Sequence, residues 1–429
     1  MTKPPWYYGG LIAAILPLYR LFVSKRSAKL PTHQRELDER FGRAYLPVPA
    51  KSGKLIWCHA VSLGELNTAY PLLQLLINAG FGLWITSTTQ TGFHRAAVLF
   101  DGQLGKTVNH SFVPVDKARI VAEFLAHTNP VMALFVETEL WATTLFELKK
   151  RQIPSVMVNA RLSHQSFLAY QRFAKISQSM MHNLSYVIAQ DDQSAEYFKK
   201  LGATDDKVCV LDSLKWSSSY APSQANQELL GAITTSQRWR LSRPIWVAGS
   251  THAEEERLLI GVHRQLLRAY PDAVLIVVPR HPERFDEVAA LCQGFITHRR
   301  SLGQVIDDDT QIYLADSMGE LFVWYDLADV VFVGGSLVDV GGHNPIEPAS
   351  LGKPIIMGQY VKNCVMLVRA LAQVSALVQV ADERALLQQI TWLLDNPLLA
   401  KTQGEQGKLL VAQKQNTAQT HCEKILRLR

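Results

Sequence analysis

Val331-Phe332-Val333-Gly334-Gly335-Ser336, followed by Gly341-Gly342-His343-Asn344-Pro345-Ile346-Glu347, carries the first inference about fold. An apolar, β-branched run ending in paired glycines predicts a buried strand that stops where the backbone must approach something closely. A ligand is the expected neighbour. The second glycine pair and Asn-Pro re-aim the chain, and Glu347 opens a short helix, Pro348-Ala349-Ser350-Leu351, ended by Gly352. Free N–H groups at such a helix start suit an anion, and a carboxylate there can accept two sugar hydroxyl hydrogen bonds. One Gly-Gly pair alone reads as a tight turn; two pairs around one strand end, with Asn and Glu beside them, favour a site.

The same strand-then-turn unit recurs along the chain. In the second half, strands are expected at 244–248, 273–278, 311–314, 330–333, 354–357 and 376–380; in the first half, at 55–61, 82–88, 107–114, 131–136, 155–159, 186–189 and 207–211. Helical segments alternate with them, such as Leu66 to Ala79 ended by Gly80. This pattern predicts two mainly parallel sheets covered by helices, one per domain, facing each other across a cleft. The length of 429 residues suits two such domains. Ser217-Ser218-Ser219-Tyr220-Ala221-Pro222-Ser223, with a short helical piece after it, reads as their junction.

A hydrophobic content of 48% against 19% charged residues implies that something apolar is exposed or inserted. The segment from Trp6 to Val23 is apolar except for Arg20, is bracketed by aromatics, and is followed by Lys25, Arg26 and Lys29. About 18 residues just suffice to cross a hydrocarbon core, and the basic cluster would place the body on the cytoplasmic side. Pro17 and Arg20 leave a second reading, a helix lying in the membrane plane, and a cleaved signal peptide is a third. Arg35, Arg40 and Arg43 of the connector that follows suit either a solvated helix face or lipid phosphates. The formal charge of +6 favours anionic partners, but the basic residues form no block with interleaved aromatics, which argues against a nucleic-acid polymer. Five scattered cysteines indicate reduced thiols in a cytosolic compartment.

Ligands in parallel sheets bind at the carboxyl ends of the strands. That rule selects Glu65, the threonines at 86, 88 and 89 with Ser87, Glu137 and Glu139, Asn159 and Arg161, and Lys215. Glu65, on a sharp turn behind Gly64, reads as a general base toward a hydroxyl or as a capping carboxylate. Glu137 and Glu139 read as site carboxylates or as capping groups, and Lys215 as an anion's partner or a surface lysine. In the second half, Ser250 and Thr251 can hold a phosphate or simply cap the helix after them. Arg280, stiffened by Pro279 and Pro282, offers a planar fork to a phosphate or a base edge. Asp316-Ser317-Met318-Gly319-Glu320 opens a helix whose first N–H groups suit a phosphate or are simply capped by Asp316 or Ser317. No histidine and carboxylate cluster has ligand spacing, so neither a metal nor a cofactor is expected; Asp307-Asp308-Asp309 reads as a polar turn.

Ser62-Leu63-Gly64-Glu65, Glu137-Thr138-Glu139-Leu140-Trp141, Asn159-Ala160-Arg161-Leu162-Ser163, Ser213-Leu214-Lys215, Pro279-Arg280-His281-Pro282-Glu283-Arg284-Phe285, Met318-Gly319-Glu320-Leu321 and the two glycine-pair motifs fall in the order seen in 3-deoxy-D-manno-octulosonic acid (Kdo) transferases, which the chain resembles over nearly its whole length. Leu63, Ala142 and Trp216 depart from the family's usual valine, proline and phenylalanine without removing a charged group. The resemblance implies an α/β GT-B fold of two Rossmann-like domains: an N-terminal membrane anchor over 1–28, an acceptor-binding domain over 29–215 and a CMP-Kdo-binding domain over 216–429, with the final helix packing back on the first domain. It further implies an inverting, metal-free transfer of Kdo from CMP-Kdo to a lipid A precursor on the cytoplasmic face of the bacterial inner membrane, with membrane lipids as partners. Glu65 would then be the general base, with Glu137 and Lys215 stabilising the transition state. CMP would be held by Pro279 and Arg280, by Met318, Gly319 and Glu320, and by Asn344, Pro345, Ile346 and Glu347, with Glu347 on the ribose. The alternatives are a membrane-surface transferase using a UDP-sugar and a non-catalytic, membrane-anchored nucleotide-binding protein.

Overall fold

The computed structural model describes residues 1–50, 53–217, 224–235 and 243–428. Most of the polar segment expected to join the domains lies outside them, and the helical piece after it is Gln224–Thr235. The chain divides into two compact units, residues 1–218 with 416–429, and residues 219–415.

In the first unit, β1 (Lys54–His59), β2 (Phe81–Ser87), β3 (Val108–Phe112), β4 (Met132–Val136), β5 (Ser155–Ala160), β6 (Tyr186–Ala189) and β7 (Val208–Val210) form a seven-stranded parallel sheet in the order β3-β2-β1-β4-β5-β6-β7. In the second, β8 (Ile245–Thr251), β9 (Val274–Pro279), β10 (Thr297–Arg299), β11 (Ile312–Leu314), β12 (Val330–Val333), β13 (Ile355–Met357) and β14 (Leu377–Gln379) are ordered β10-β11-β9-β8-β12-β13-β14, again parallel. Helices cover both faces, so central strands are buried on both sides and read as continuous apolar runs, as Val330–Val333 does. The sequence pattern misses β10 because Thr-His-Arg at a sheet edge is only half-buried and has no apolar signal.

Strand order reverses between β1 and β4, and again between β8 and β12. Crevices for ligands open at the carboxyl ends of strands at such switch points. His59 and Glu137 stand at the first, Thr251 and Gly334 at the second.

Helix α1 (Trp6–Ser27) is long and apolar enough to cross a membrane, yet it is tied to the first unit. The Thr2 N–H donates to Asn183 Oδ1 (3.0 Å), Asn183 Nδ2 returns a bond to the Thr2 carbonyl (2.7 Å), and the Tyr8 hydroxyl donates to Asp116 (2.6 Å). Further along, Tyr19 packs on Phe41 and Val23 and Ser27 are buried. Tyr8, Ile12, Leu16, Tyr19, Val23 and Ser27 make the inward stripe at helical spacing.

Helix α2 (His33–Arg40) corrects one expectation. Arg40 is neither solvated nor placed for lipid phosphates: it is buried, bonds Glu36 at 2.9 Å, and lies over the Phe112 ring. Arg35 pairs with Glu39. Glu36 is itself fully buried, so removing either partner would strand a charge; α2 is tied to the edge strand β3 by the Phe112 N–H donating to Glu39 and by Arg35 donating to the His110 carbonyl.

The C-terminal helix Thr417–Arg427 belongs to the first unit, where Ala418, Cys422 and Ile425 share a core with Leu66 and Leu73 of the helix that follows β1. The Ala418 N–H donates to Ser217 Oγ at 2.7 Å.

Candidate active site

In the first unit the chain leaves β1 through Ala60 and Val61, and Ser62 caps helix α3 (Leu63–Asn78). Glu65 sits in the first turn, where Ser62 Oγ accepts its N–H and its own Oε2 accepts the Val61 N–H at 2.8 Å. This is a capping arrangement, and it occupies one carboxylate oxygen. The other has no partner among the described residues, so the capping role leaves one oxygen uncommitted. Burial, then the nearby charges of Glu137 and Glu139, raise its carboxyl to about 8, partly offset by the Val61 N–H. A carboxyl tuned that high is a strong proton acceptor once ionised, and pairs of groups so perturbed mark functional sites.

Glu137 follows β4 with φ +61°, and Asn159, near the end of β5, has φ +53°. Two adjacent non-glycine residues in the left-handed region are held there by their surroundings. Asn159 is fully buried; its Oδ1 accepts from Ser213 Oγ and the Leu214 N–H, both at 3.0 Å, and its Nδ2 faces Glu137 at 3.5 Å. The amide thereby ties the Glu137 turn to the short helix Leu214–Ser217 that carries Lys215.

Glu139 is held by a second relay. Trp57 Nε1 donates to Thr86 Oγ1 (2.9 Å), which lies 2.9 Å from His59 Nδ1, while His59 Nε2 and Thr88 Oγ1 reach Glu139 Oε2 at 3.0 and 3.1 Å. The Glu139 carboxylate can only accept, so His59 donates Nε2–H to it, and Nδ1 of the neutral ring then accepts the Thr86 hydroxyl hydrogen while Thr86 Oγ1 accepts from Trp57. His59 is absent from the residues selected by sequence, because its partner lies 80 positions away; its place as the last residue of β1 was the available signal.

In the second unit the glycine pair has a different role from the one expected. A Cβ on Gly334 would lie 2.4 Å from the Ser250 carbonyl oxygen, so the close approach is to the protein's own backbone. The N–H groups of Gly335, Ser336 and Leu337, which resemble an anion nest, donate to the carboxylate of Glu255 at 2.8, 3.1 and 3.0 Å, and the His252 N–H joins them at 3.3 Å. An internal carboxylate fills the place a ligand was expected to fill. Gly341 and Gly342, at φ +112° and +74°, fold the chain back so that both bond the Gly335 carbonyl, which delivers His343 and the residues after it to the β12 end.

Arg280, His252, His343 and Glu347 converge there. The Nε2 atoms of His252 and His343 lie 2.7 Å apart, with His281 packed edge-on against His252. Burial first, then His252, Arg280 and His281, hold His343 down to about 3, so this pair stays uncharged at neutral pH. Burial raises Glu347 to about 7, opposed by Arg280. These histidines look isolated along the sequence, but each follows a strand of the switch-point region, the same rule that selected the carboxylates.

The other selected residues are placed less uniformly. Pro279 is buried at the end of β9, and the Arg280 N–H continues the ladder to the Thr251 carbonyl at 3.0 Å. Thr251 Oγ1 is buried and donates to Glu256, and Ser250, at φ +57°, stays at the turn. Glu320 is engaged by both Nε and Nη2 of Arg300 at 2.9 Å, so what Met318, Gly319 and Glu320 offer a ligand is backbone, at a helix start with no side-chain cap. Asn344 Oδ1 accepts the Ile346 N–H (3.1 Å) and shapes the turn into Ile346–Ser350, behind Pro345. Asp307 binds the N–H groups of Asp309 and Thr310, a polar turn as read from sequence.

A sequence model of the family described as 3-deoxy-D-manno-octulosonic-acid transferase (kdotransferase) matches residues 35–218. A 3-deoxy-D-manno-octulosonic acid transferase of Haemophilus influenzae is 36% identical over 383 residues, 87% of this chain and 87% of the relative. The crystal structure of a C-terminal CMP-Kdo binding domain of WaaA from Acinetobacter baumannii is 38% identical, covering 44% of this chain and all of that one, with a TM-score of 0.42. A UDP-GlcNAc 2-epimerase from Neisseria meningitidis, solved with UDP-GlcNAc, covers 87% of this chain and all of its own at 13% identity and a TM-score of 0.56, a likeness of fold alone that agrees with the GT-B class.

Proposed function

The chain belongs to the Kdo transferase family of glycosyltransferases, and on that premise we propose that it moves Kdo from CMP-Kdo to a lipid A precursor, with inversion, at the cytoplasmic face of the bacterial inner membrane. The observation that carries this reading is Glu65: a carboxylate at a switch point, half committed to its helix, raised to about 8 beside two further carboxylates. As base, it takes the proton of the acceptor hydroxyl while that oxygen bonds to the anomeric carbon. The bond from that carbon to the phosphate oxygen breaks, and its electron pair leaves with CMP. Glu137 supports positive charge developing on the sugar, and Lys215 pairs with the Kdo carboxylate or the phosphate. Arg280 meets the phosphate, uncapped N–H groups at Gly319 and Glu320 add donors, and Asn344, Pro345, Ile346 and Glu347 take the ribose and base, Glu347 on the ribose hydroxyls. The outward residues of α1 supply contact with the lipid surface where the acceptor resides.

The test is turnover of the full chain with CMP-Kdo, generated in place, and a tetraacylated lipid A precursor, read as product mass. A product heavier by whole Kdo units is expected; no product, where a known transferase works in the same assay, overturns the reading. Donor class is checked separately. CMP at 100 times its Kd should stabilise the protein by about 2.7 kcal/mol by linkage, and UDP at the same concentration far less; equal protection by UDP would point to a UDP-sugar donor.

A further inference from the structure

A cavity of about 260 Å³ lies between α1 and the body of the first unit. Tyr8, Ile12, Leu16 and Tyr19 of α1 line one side; Val113, Pro114 and Trp141 line the other. Away from Glu139, its charged groups are already engaged. Asp116 accepts from Tyr8, from the N–H groups of Thr143 and Thr144 and from Thr144 Oγ1, and Arg40 is held by Glu36 and the Thr88 carbonyl. A polar ligand would gain little there, whereas hydrocarbon would gain the transfer of its surface out of water.

Two further observations fix what the cavity communicates with. Thr88 and Glu139 also line it; the Thr88 N–H donates to the Val61 carbonyl at 3.1 Å and the Val61 N–H donates to Glu65 at 2.8 Å, so one end of the cavity lies one residue from the candidate base. At the other side, α1 turns Trp6, Leu11, Leu18 and Phe22 outward, with exposures from 54 to 89%. An apolar helix with one stripe on its body and the opposite stripe bare is suited to a lipid surface. The cavity therefore joins a reactive polar end to a face fit for hydrocarbon, the profile of an amphiphile whose head reacts and whose tail stays in lipid. We propose that it seats one acyl chain of the acceptor, threading beneath α1 and so placing the acceptor hydroxyl near Glu65. This rests on the lipid acceptor proposed above and adds where its chain goes.

Leu16→Trp should fill the cavity. Measured with the tetraacylated precursor and with its fully deacylated sugar phosphate, the KM ratio of acylated to deacylated acceptor should rise at least tenfold over the wild type. A ratio that does not move overturns the assignment even if both activities fall, since a merely structural helix would affect both acceptors alike. A wild type inactive on both acceptors would instead overturn the proposed function, and this inference with it. A measurement without a variant reads the same point: an active acceptor carrying a photoreactive diazirine at the end of an acyl chain should label Ile12, Leu16 or Pro114. Labelling confined to Trp6, Leu11 and Leu18 would overturn it.

Discussion

Glu65→Gln is expected to lose turnover by about 10²-fold or more, the scale of a missing general base, and yet to melt at a higher temperature than the wild type above about pH 5. Both effects have one origin. The carboxyl is raised from 4.5 to about 8 by burial and by Glu137 and Glu139, so the ionised form that serves as base is also the form the fold disfavours. Between those two values the native state keeps a proton that the unfolded chain has released, and stability falls as pH rises. Glutamine has no proton to lose, and its amide oxygen can still accept the Val61 N–H. The stability gap should therefore open near pH 4.5, widen to about pH 8 and stay constant above it, reaching about 1–3 kcal/mol after allowing for solvent screening at a partly exposed site. Melts of the two proteins at pH 5, 7 and 9, beside kcat/KM over the same range, check this. For the wild type, kcat/KM should climb about tenfold per unit below pH 8 and then level. A gap that does not depend on pH would remove the raised carboxyl, and a flat pH profile would remove Glu65 as base.

What the sequence made legible followed from local physics. Buried parallel strands announce themselves as apolar runs, and the strand-end rule can select Glu65, Glu137, Asn159 and Lys215 because side chain and strand end are near neighbours in the chain. What it hid was pairing at long range. His59 meets Glu139 only through the order β2-β1-β4, and His252 meets His343 only because β8 and β12 are adjacent. Arg40 read as a surface cation because nothing local shows that the edge of the first sheet would close over it. The first glycine pair makes the close approach its sequence implies, but to the protein's own Ser250 backbone and to Glu255, 80 residues earlier. In sequence, a nest closed by the protein's own carboxylate and one left open for a phosphate look alike.

That closed nest yields the second large effect. Glu255→Ala should destabilise the protein by about 3–5 kcal/mol, because it leaves several buried donors without an acceptor. Four N–H groups, of His252, Gly335, Ser336 and Leu337, lose their acceptor at once, and Gly335 and Ser336 are buried where water has little access. Each unsatisfied donor costs about 1–3 kcal/mol, so even partial rescue by water leaves the loss large. Glu255→Gln tests the chemistry more finely. It keeps the volume and one accepting oxygen but turns an N–H₂ toward groups that only donate, so it should fall between wild type and alanine. The effect should not stop at stability: the nest anchors the turn that delivers His343, Asn344 and Glu347 to the β12 end, so CMP affinity should weaken in the same order. Urea midpoints at constant m-value and CMP titrations of the three proteins decide it. An alanine variant with an unchanged midpoint would show that the turn is held by its glycine geometry alone. A lowered midpoint with unchanged CMP affinity would separate the nest from the nucleotide site.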